Sequence, residues 1–263
     1  MCGGNCMSFV QYESHGNISY IYLNRPDRYN ALHKEMFADL LSVVKKVECD
    51  DSKIVIISGK GRAFSAGGDM KMLKQFADRM VYDDVMNMID EIVTRLYLLN
   101  KLVISAINGS AAGIGLSLAL NADYIVADKQ AKLGVLFLGV GLVPDGGGHF
   151  FLQERLGTHG AKQFTWSLQQ LTSAEAKNKG LVDVIASELS VIEAATNLAK
   201  KLLKQPLQAM IRTKMIYHET SEQTLRQYLQ NERNAQWDMR QTDDHAEGVR
   251  AFIEKRQPNF KGF

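Results

Sequence analysis

The apolar and polar positions divide the first two thirds of the chain into short apolar runs alternating with helical stripes. Over 17–23, Ile18, Tyr20 and Tyr22 stand against Ser19, Ile21 and Leu23, which predicts a strand covered on both faces. Asn24, Arg25, Pro26 and Asp27 break it. Met36, Phe37, Leu40, Leu41, Val44 and Val47 recur at helical spacing over 33–48, and the isoleucine-rich run 53–58 predicts the next strand, completing a βαβ unit. A glycine-punctuated loop over 59–68 leads into helical stretches at 70–76 and 81–100, a strand at 102–108, a buried helix, and a strand at 124–127. The uncharged stretch 102–122 is long enough to span a membrane. Its Asn108, Ser110 and Ser117, with Gly109, Gly113 and Gly115, instead divide it into strand, turn and helix.

Beyond about Thr172 the texture shifts to long helix formers, and Thr172 with Glu175 predicts a capping box. Helices are expected over 192–203, 207–217, 222–238 and 245–254, with apolar stripes but little core of their own, so they should pack on the first domain or on another subunit. The expected organisation is an α/β domain over 1–195 and a helical region over 196–263, without repeats or a low-complexity linker.

Composition narrows the function. With 46% hydrophobic and 23% charged residues, the 263-residue chain is globular, which excludes disorder, collagen and a disulfide scaffold. Its 31 basic and 29 acidic residues leave no excess to track a phosphate backbone, so no nucleic acid is expected as partner. Cys2, Cys6 and Cys49 are spaced for neither a disulfide framework nor a tetrahedral metal site, and are expected as reduced thiols. No basic start with an apolar run and cleavage site opens the sequence, so a cytoplasmic protein without membrane attachment is expected.

Three glycine-rich segments could carry chemistry. In AFSAGGDMK, 63–71, small residues ahead of a helix leave backbone N–H groups pointing outward, as an oxyanion site requires; an ordinary loop with Asp69 capping the helix is the alternative. NGSAAGIG, 108–115, has the same strand–turn–helix character and also resembles a dinucleotide-binding loop. Such a loop should follow the first strand, with Tyr-x-x-x-Lys far downstream; here Tyr97 and Lys101 lie upstream. Gly115-Leu-Ser117-Leu-Ala119 nearly matches a nucleophile elbow, but Ser117 falls about a turn inside the helix, where a small packing residue is expected. In LGVGLVPDGGGHF, 138–150, Asp145 stands alone among apolar residues and glycines, where desolvation would make it a useful general base; a helix cap or turn is the structural alternative. His149 has no partner in sequence and is expected as a packed or surface histidine.

Taken in order, LNRPDRYNAL (23–32), AFSAGGDMK, NGSAAGIGLSLALNAD (108–123), AKLGVLFLGVGLVPDGGG (131–148) and FIEKRQPNFKGF (252–263) resemble the crotonase family of enoyl-CoA hydratases and isomerases over almost the whole chain. The resemblance implies an α/β crotonase-like spiral of ββα turns with a helical C-terminal trimerisation region, in homotrimers or hexamers. It implies an acyl-CoA thioester substrate and no cofactor beyond the CoA of that substrate. Two backbone N–H groups hold the thioester oxygen in the family, and they map to Ala66 and to Ile114, beside Gly113. CoA would lie near Arg28 and Ala31, with Gly67, Gly68 and Asp69 shaping the bend around the pantetheine and Lys71 and Lys261 as phosphate contacts.

Where hydratases of the family use two glutamates, this sequence has Ser117 and Phe137. Neither replaces a glutamate, because serine is a poor base without an activator and phenylalanine transfers no proton. Asp145 falls where isomerases of the family place their single carboxylate. The segment most resembles epoxyphenylacetyl-CoA and Δ3,Δ2-enoyl-CoA isomerases, with Phe137, Leu138 and Val140 expected to keep the pocket dry. The alternatives are a hydratase or other lyase of fatty-acid degradation, a hydrolytic or dehalogenating relative, and a non-catalytic acyl-CoA-binding protein.

Overall fold

A computed structural model describes residues 8–71, 76 and 78–262. β1 (Val10–His15) and β2 (Ile18–Leu23) form an antiparallel hairpin. After α1 (Lys34–Cys49), β3 (Ile54–Gly59) pairs parallel to β2 and is followed by the short β4 (Ala63–Ser65). α2 (Arg79–Tyr97) leads to β5 (Leu102–Ile107), β6 (Ser110–Ala112) and α3 (Ile114–Leu120). β7 (Tyr124–Asp128) and β8 (Lys132–Gly134) repeat the pattern before α4 (Gly148–Ser167). β3, β5 and β7 of one sheet thus each feed a short strand of a second, and then a helix. The chain closes with β9 (Gln170–Thr172), α5 (Ser173–Asn178), β10 (Val184–Ala186), α6 (Val191–Leu202), α7 (Leu207–Arg240) and α8 (Asp243–Glu254). The large sheet has the order β1-β2-β3-β5-β7-β10 and the small one β4-β6-β8-β9.

Strand alternation divides the core between the two faces of the large sheet. Ile21, Leu23, Val55, Ile57, Val103 and Ile107 meet α1, α2 and α3 on one face. Ile18, Tyr20, Tyr22, Ile54 and Ile56 meet Val191, Ala195, Ala199 and Leu202 of α6 on the other. The predicted boundary between residues 195 and 196 therefore falls inside a helix that belongs to the sheet. The helices predicted at 207–217 and 222–238 are one continuous α7, because His218–Ser221 contain neither glycine nor proline to end it. β1, polar at Gln11, Glu13, Ser14 and His15, and the three-residue strands went unpredicted; the first lacks an apolar run and the others are too short to carry a readable period. The helix predicted at 70–76 lies, apart from residues 70, 71 and 76, outside the described residues.

The Thr172–Glu175 capping box is present at α5. Cys49 is exposed and unbridged, while Cys2 and Cys6 lie outside the described residues. Among the described residues no helix is long and apolar enough to cross a membrane.

The start of α3 lies directly on β4. A Cβ on Gly115 would stand 2.6 Å from Ser65 Cβ and 2.8 Å from its carbonyl oxygen. Gly115→Ala should therefore destabilise the fold by about 1–3 kcal/mol through overpacking, despite alanine's higher helix propensity. Chemical denaturation checks this, and unchanged stability would contradict the packing described.

Candidate active site

The first wall is built from two loops tied backbone to backbone. Leu32 N–H donates to Gly67 O at 2.7 Å, and Asp69 N–H donates to Leu32 O at 2.8 Å. Arg25 pairs with Asp69 at 2.6 Å and donates to Ala31 O at 2.9 Å, joining the same loops through side chains. Burial pushes the Asp69 carboxyl upward, but hydrogen bonds from Arg25 and the Lys71 amide outweigh it and hold the group below its ordinary value. Asp69 thus both caps the helical turn at residues 70 and 71 and anchors Arg25.

This geometry corrects the expectation for Ala66. Its N–H donates to Tyr29 O at 2.9 Å, and the next amide, Gly67, donates to Ser65 Oγ at 3.2 Å. The N–H of Gly68 has no partner among the described residues. The flanking ladder bonds use Gly67 O and Asp69 N, so the Gly68 amide is turned away from the ladder and is the free donor of this wall. Gly67 has φ +97°, and a Cβ on it would stand 2.9 Å from Ala112 O, so glycine is required for the approach to the second wall.

That second wall is the start of α3. Gly113 has φ +53° and donates to Gly134 O at 3.1 Å. The Ile114 N–H, at the first helical position, has no partner among the described residues, as expected where no preceding turn supplies an acceptor. A Cβ on Gly67 would lie 3.7 Å from Gly113 Cα, so the free amides of Gly68 and Ile114 flank a contact between the two loops.

Both walls open on a cavity of about 720 Å³. Arg28, Ala31, Ala66, Gly67, Gly68, Asp69, Lys71, Gly113, Ile114, Phe137 and Asp145 all line it, as do the apolar Phe37, Phe76, Met86, Ile89 and Leu142. Two predicted residues do not. Leu138 belongs to the 3-10 turn Phe137–Val140 but not to the lining, and Lys261 lies near the C-terminus, where its backbone N–H donates to Asp244 at 2.6 Å. Ser117 is 3% exposed and does not line the cavity; a Cβ on Gly148 would stand 2.8 Å from its Oγ, so it is a packing residue.

Asp145 is 7% exposed, its Oδ1 is buried without a hydrogen-bond partner, and no other described residue donates to the carboxylate or pairs with it. Burial pushes its pKa up to about 8, the Glu232 and Asp90 carboxylates push the same way, and the Arg240 guanidinium opposes them. The other carboxylates on the cavity are held by arginines: Asp69 by Arg25, and Asp27 by Arg28 at 3.8 Å.

The loop carrying Asp145 is clamped by one stripe of α7. Glu232 accepts from Gly147 N–H at 2.8 Å and His149 N–H at 2.9 Å, and its carboxylate lies 2.8 Å from His149 Nδ1. The side-chain amide of Gln236 donates to Val143 O, and Arg240 Nη2 donates to Gln236 Oε1 at 3.1 Å. Gln236 and Arg240 also line the cavity. None of the three was singled out from the sequence. Their signal is that the apolar stripe Leu225, Leu229 continues in the same helical register as Glu232, Gln236 and Arg240.

The fold and site define a class of α/β protein with two free backbone donors and a buried carboxyl on one apolar cavity, and the comparisons give it a family. The family described as Enoyl-CoA hydratase/isomerase matches residues 13–262. YhaR of Bacillus subtilis, which bears the name of an enoyl-CoA hydratase/isomerase, is 43% identical over 97% of this chain and 100% of its own. The 1,2-epoxyphenylacetyl-CoA isomerase of Escherichia coli is 33% identical over 97% of this chain and 99% of its own. The 2,3-dehydroadipyl-CoA hydratase of the same organism is also 33% identical, over 91% and 93%. The crystal structure of an enoyl-CoA hydratase from Mycobacterium avium subsp. paratuberculosis superposes with a TM-score of 0.86 at 27% identity, covering 96% of this chain and 98% of that one. The chain belongs to the enoyl-CoA hydratase/isomerase (crotonase) family and has its fold.

Proposed function

We propose that this protein is a Δ3,Δ2-enoyl-CoA isomerase, of the kind that includes epoxyphenylacetyl-CoA isomerases, with Asp145 as its single base. The observation that carries the reading is that Asp145 is the one carboxylate on the cavity without a cationic or hydrogen-bonding partner among the described residues, while Ser117 and Phe137 stand where a hydratase needs glutamates. A hydratase must hold and deprotonate water as well as protonate carbon, and among the described residues no second unpaired carboxylate lines this cavity.

In the proposed reaction the thioester oxygen sits against the N–H groups of Gly68 and Ile114. Asp145 takes a proton from C2 of a 3-enoyl-CoA, the electron pair moves onto the thioester oxygen, and the two amides stabilise the enolate. The pair then returns to form the C2–C3 double bond as Asp145 delivers the proton to C4. The apolar lining of Phe37, Met86, Ile89 and Phe137 excludes the water that would otherwise add. Arg28 and Lys71 at the exposed rim, beside Ala31, suit the CoA phosphates. No cofactor beyond that CoA enters the reaction. The exposed Ile216, Tyr217, Phe252 and Ile253 on α7 and α8 support assembly into trimers or hexamers.

The pH profile tests the base. A carboxyl raised to about 8 is protonated and inactive as a base at low pH, so kcat/KM for 3-hexenoyl-CoA should climb as pH rises through about 8 and level off above it. A profile already flat at pH 6 would remove Asp145 as the base.

A further inference from the structure

We propose that the cavity holds a carboxylate-binding acyl subsite at Arg240, so that the preferred substrate is a CoA thioester whose acyl group ends in a carboxylate. The proposal rests on reading the cavity as an acyl-CoA site, and names the acyl class within it.

Arg240 lines the cavity together with Asp145 and Gln236. It is largely enclosed, yet no carboxylate of the described residues comes within ion-pairing distance of its guanidinium, and Nε and Nη1 are buried without hydrogen-bond partners. Its one bond is from Nη2 to Gln236 Oε1. Burial lowers its pKa, which records the unfavourable surroundings of the charge. A buried cation left unpaired is costly, and the guanidinium fork matches a carboxylate in shape and charge.

The surroundings hold the group in place without neutralising it. Gln236 is locked by its bond to Val143 O, which turns its carbonyl oxygen toward Arg240. The Phe76 ring lies 4.7 Å from the guanidinium carbon and the Tyr82 ring 5.6 Å away. The neighbouring acids are committed elsewhere: Glu232 to the Gly147–His149 turn, and Asp90 to Arg233 at 2.6 Å. Asp145 contributes charge at longer range, but in the proposed cycle it carries a proton for part of each turnover. A carboxylate on the acyl chain supplies the missing counter-charge throughout.

Binding separates this proposal from the isomerase reading, because it can be measured on saturated thioesters that cannot react. Titration calorimetry should show adipyl-CoA binding at least about tenfold more tightly than hexanoyl-CoA, as a charge-assisted hydrogen bond in an enclosed site warrants. Arg240→Gln should collapse that ratio toward one, and Arg240→Lys, which keeps the charge, should retain part of it. Circular dichroism and thermal melts of both variants establish that they are folded. Equal affinity of the wild-type protein for the two thioesters, or a ratio unchanged in folded Arg240→Gln, would overturn the subsite while leaving isomerase activity on neutral 3-enoyl-CoA thioesters untouched. Preference for adipyl-CoA in a protein that hydrates 2-enoyl thioesters instead would support the subsite and overturn the isomerase.

Discussion

Asp145→Asn should abolish turnover and make the protein more stable at neutral pH. In the proposed reaction the loss follows from removing the base: general acid–base groups contribute about 10²–10⁴-fold, and there the same carboxylate serves both proton transfers. The stability gain follows from linkage. Asp145 is raised from 3.8 to about 8 in the folded protein, so between those values the native state binds the proton more tightly than the unfolded chain does. Stability is then greatest at acid pH and falls as pH rises toward the folded pKa, since the native state must give up a proton it favours or carry a buried charge. Asparagine removes that term. The variant should gain about 1–3 kcal/mol at pH 7, part of the effect being offset because the asparagine amide is itself a buried polar group without a hydrogen-bond partner. A gain of this size raises the Tm of a chain this long by roughly 3–10 °C. Melts at pH 5 and pH 8 check the sign, because the difference between variant and wild type should widen with pH. A variant less stable at pH 8 than wild type would contradict the buried, unpaired carboxyl.

The second large effect concerns a backbone atom. Ile114 is the first residue of α3 and its N–H makes no bond in the fold, so proline there deletes the donor at a position where helices accept it. Ile114→Pro should lower kcat by about 10²–10³-fold, the loss associated with one oxyanion-hole donor. The Ile114 side chain is 7% exposed and packs beside Gly146, so Ile114→Ala is the control for lost packing. The alanine variant should keep most of kcat while losing stability. Comparable kcat losses in the two variants would remove the Ile114 amide from the mechanism.

Much of this site was legible in the sequence because its parts are local. Glycines at 67 and 113 mark turns with a positive φ that other residues rarely adopt, and Asp145 among apolar residues marks a carboxyl that folding would desolvate. What was illegible depends on direction and on distance along the chain. Ala66, Gly67 and Gly68 all carry an N–H, and only the pairing of the first two with Tyr29 O and Ser65 Oγ leaves Gly68 free. Glu232 and Gln236 lie some ninety residues beyond the loop they clamp, and with Arg240 they sit on a helix whose polar residues look solvent-facing until its apolar stripe is followed to the end. The small sheet was missed for a third reason: its strands are three residues long and are set by the strands that precede them.

The most direct test is to incubate the purified protein with 3-hexenoyl-CoA in D₂O and follow the product by mass spectrometry and NMR. A single enclosed carboxyl predicts conversion to 2-hexenoyl-CoA without addition of water, with part of the hydrogen taken from C2 recovered at C4, and loss of the reaction in Asp145→Asn. Accumulation of the 3-hydroxyacyl thioester, or full wild-type conversion in Asp145→Asn, would contradict the single-base account.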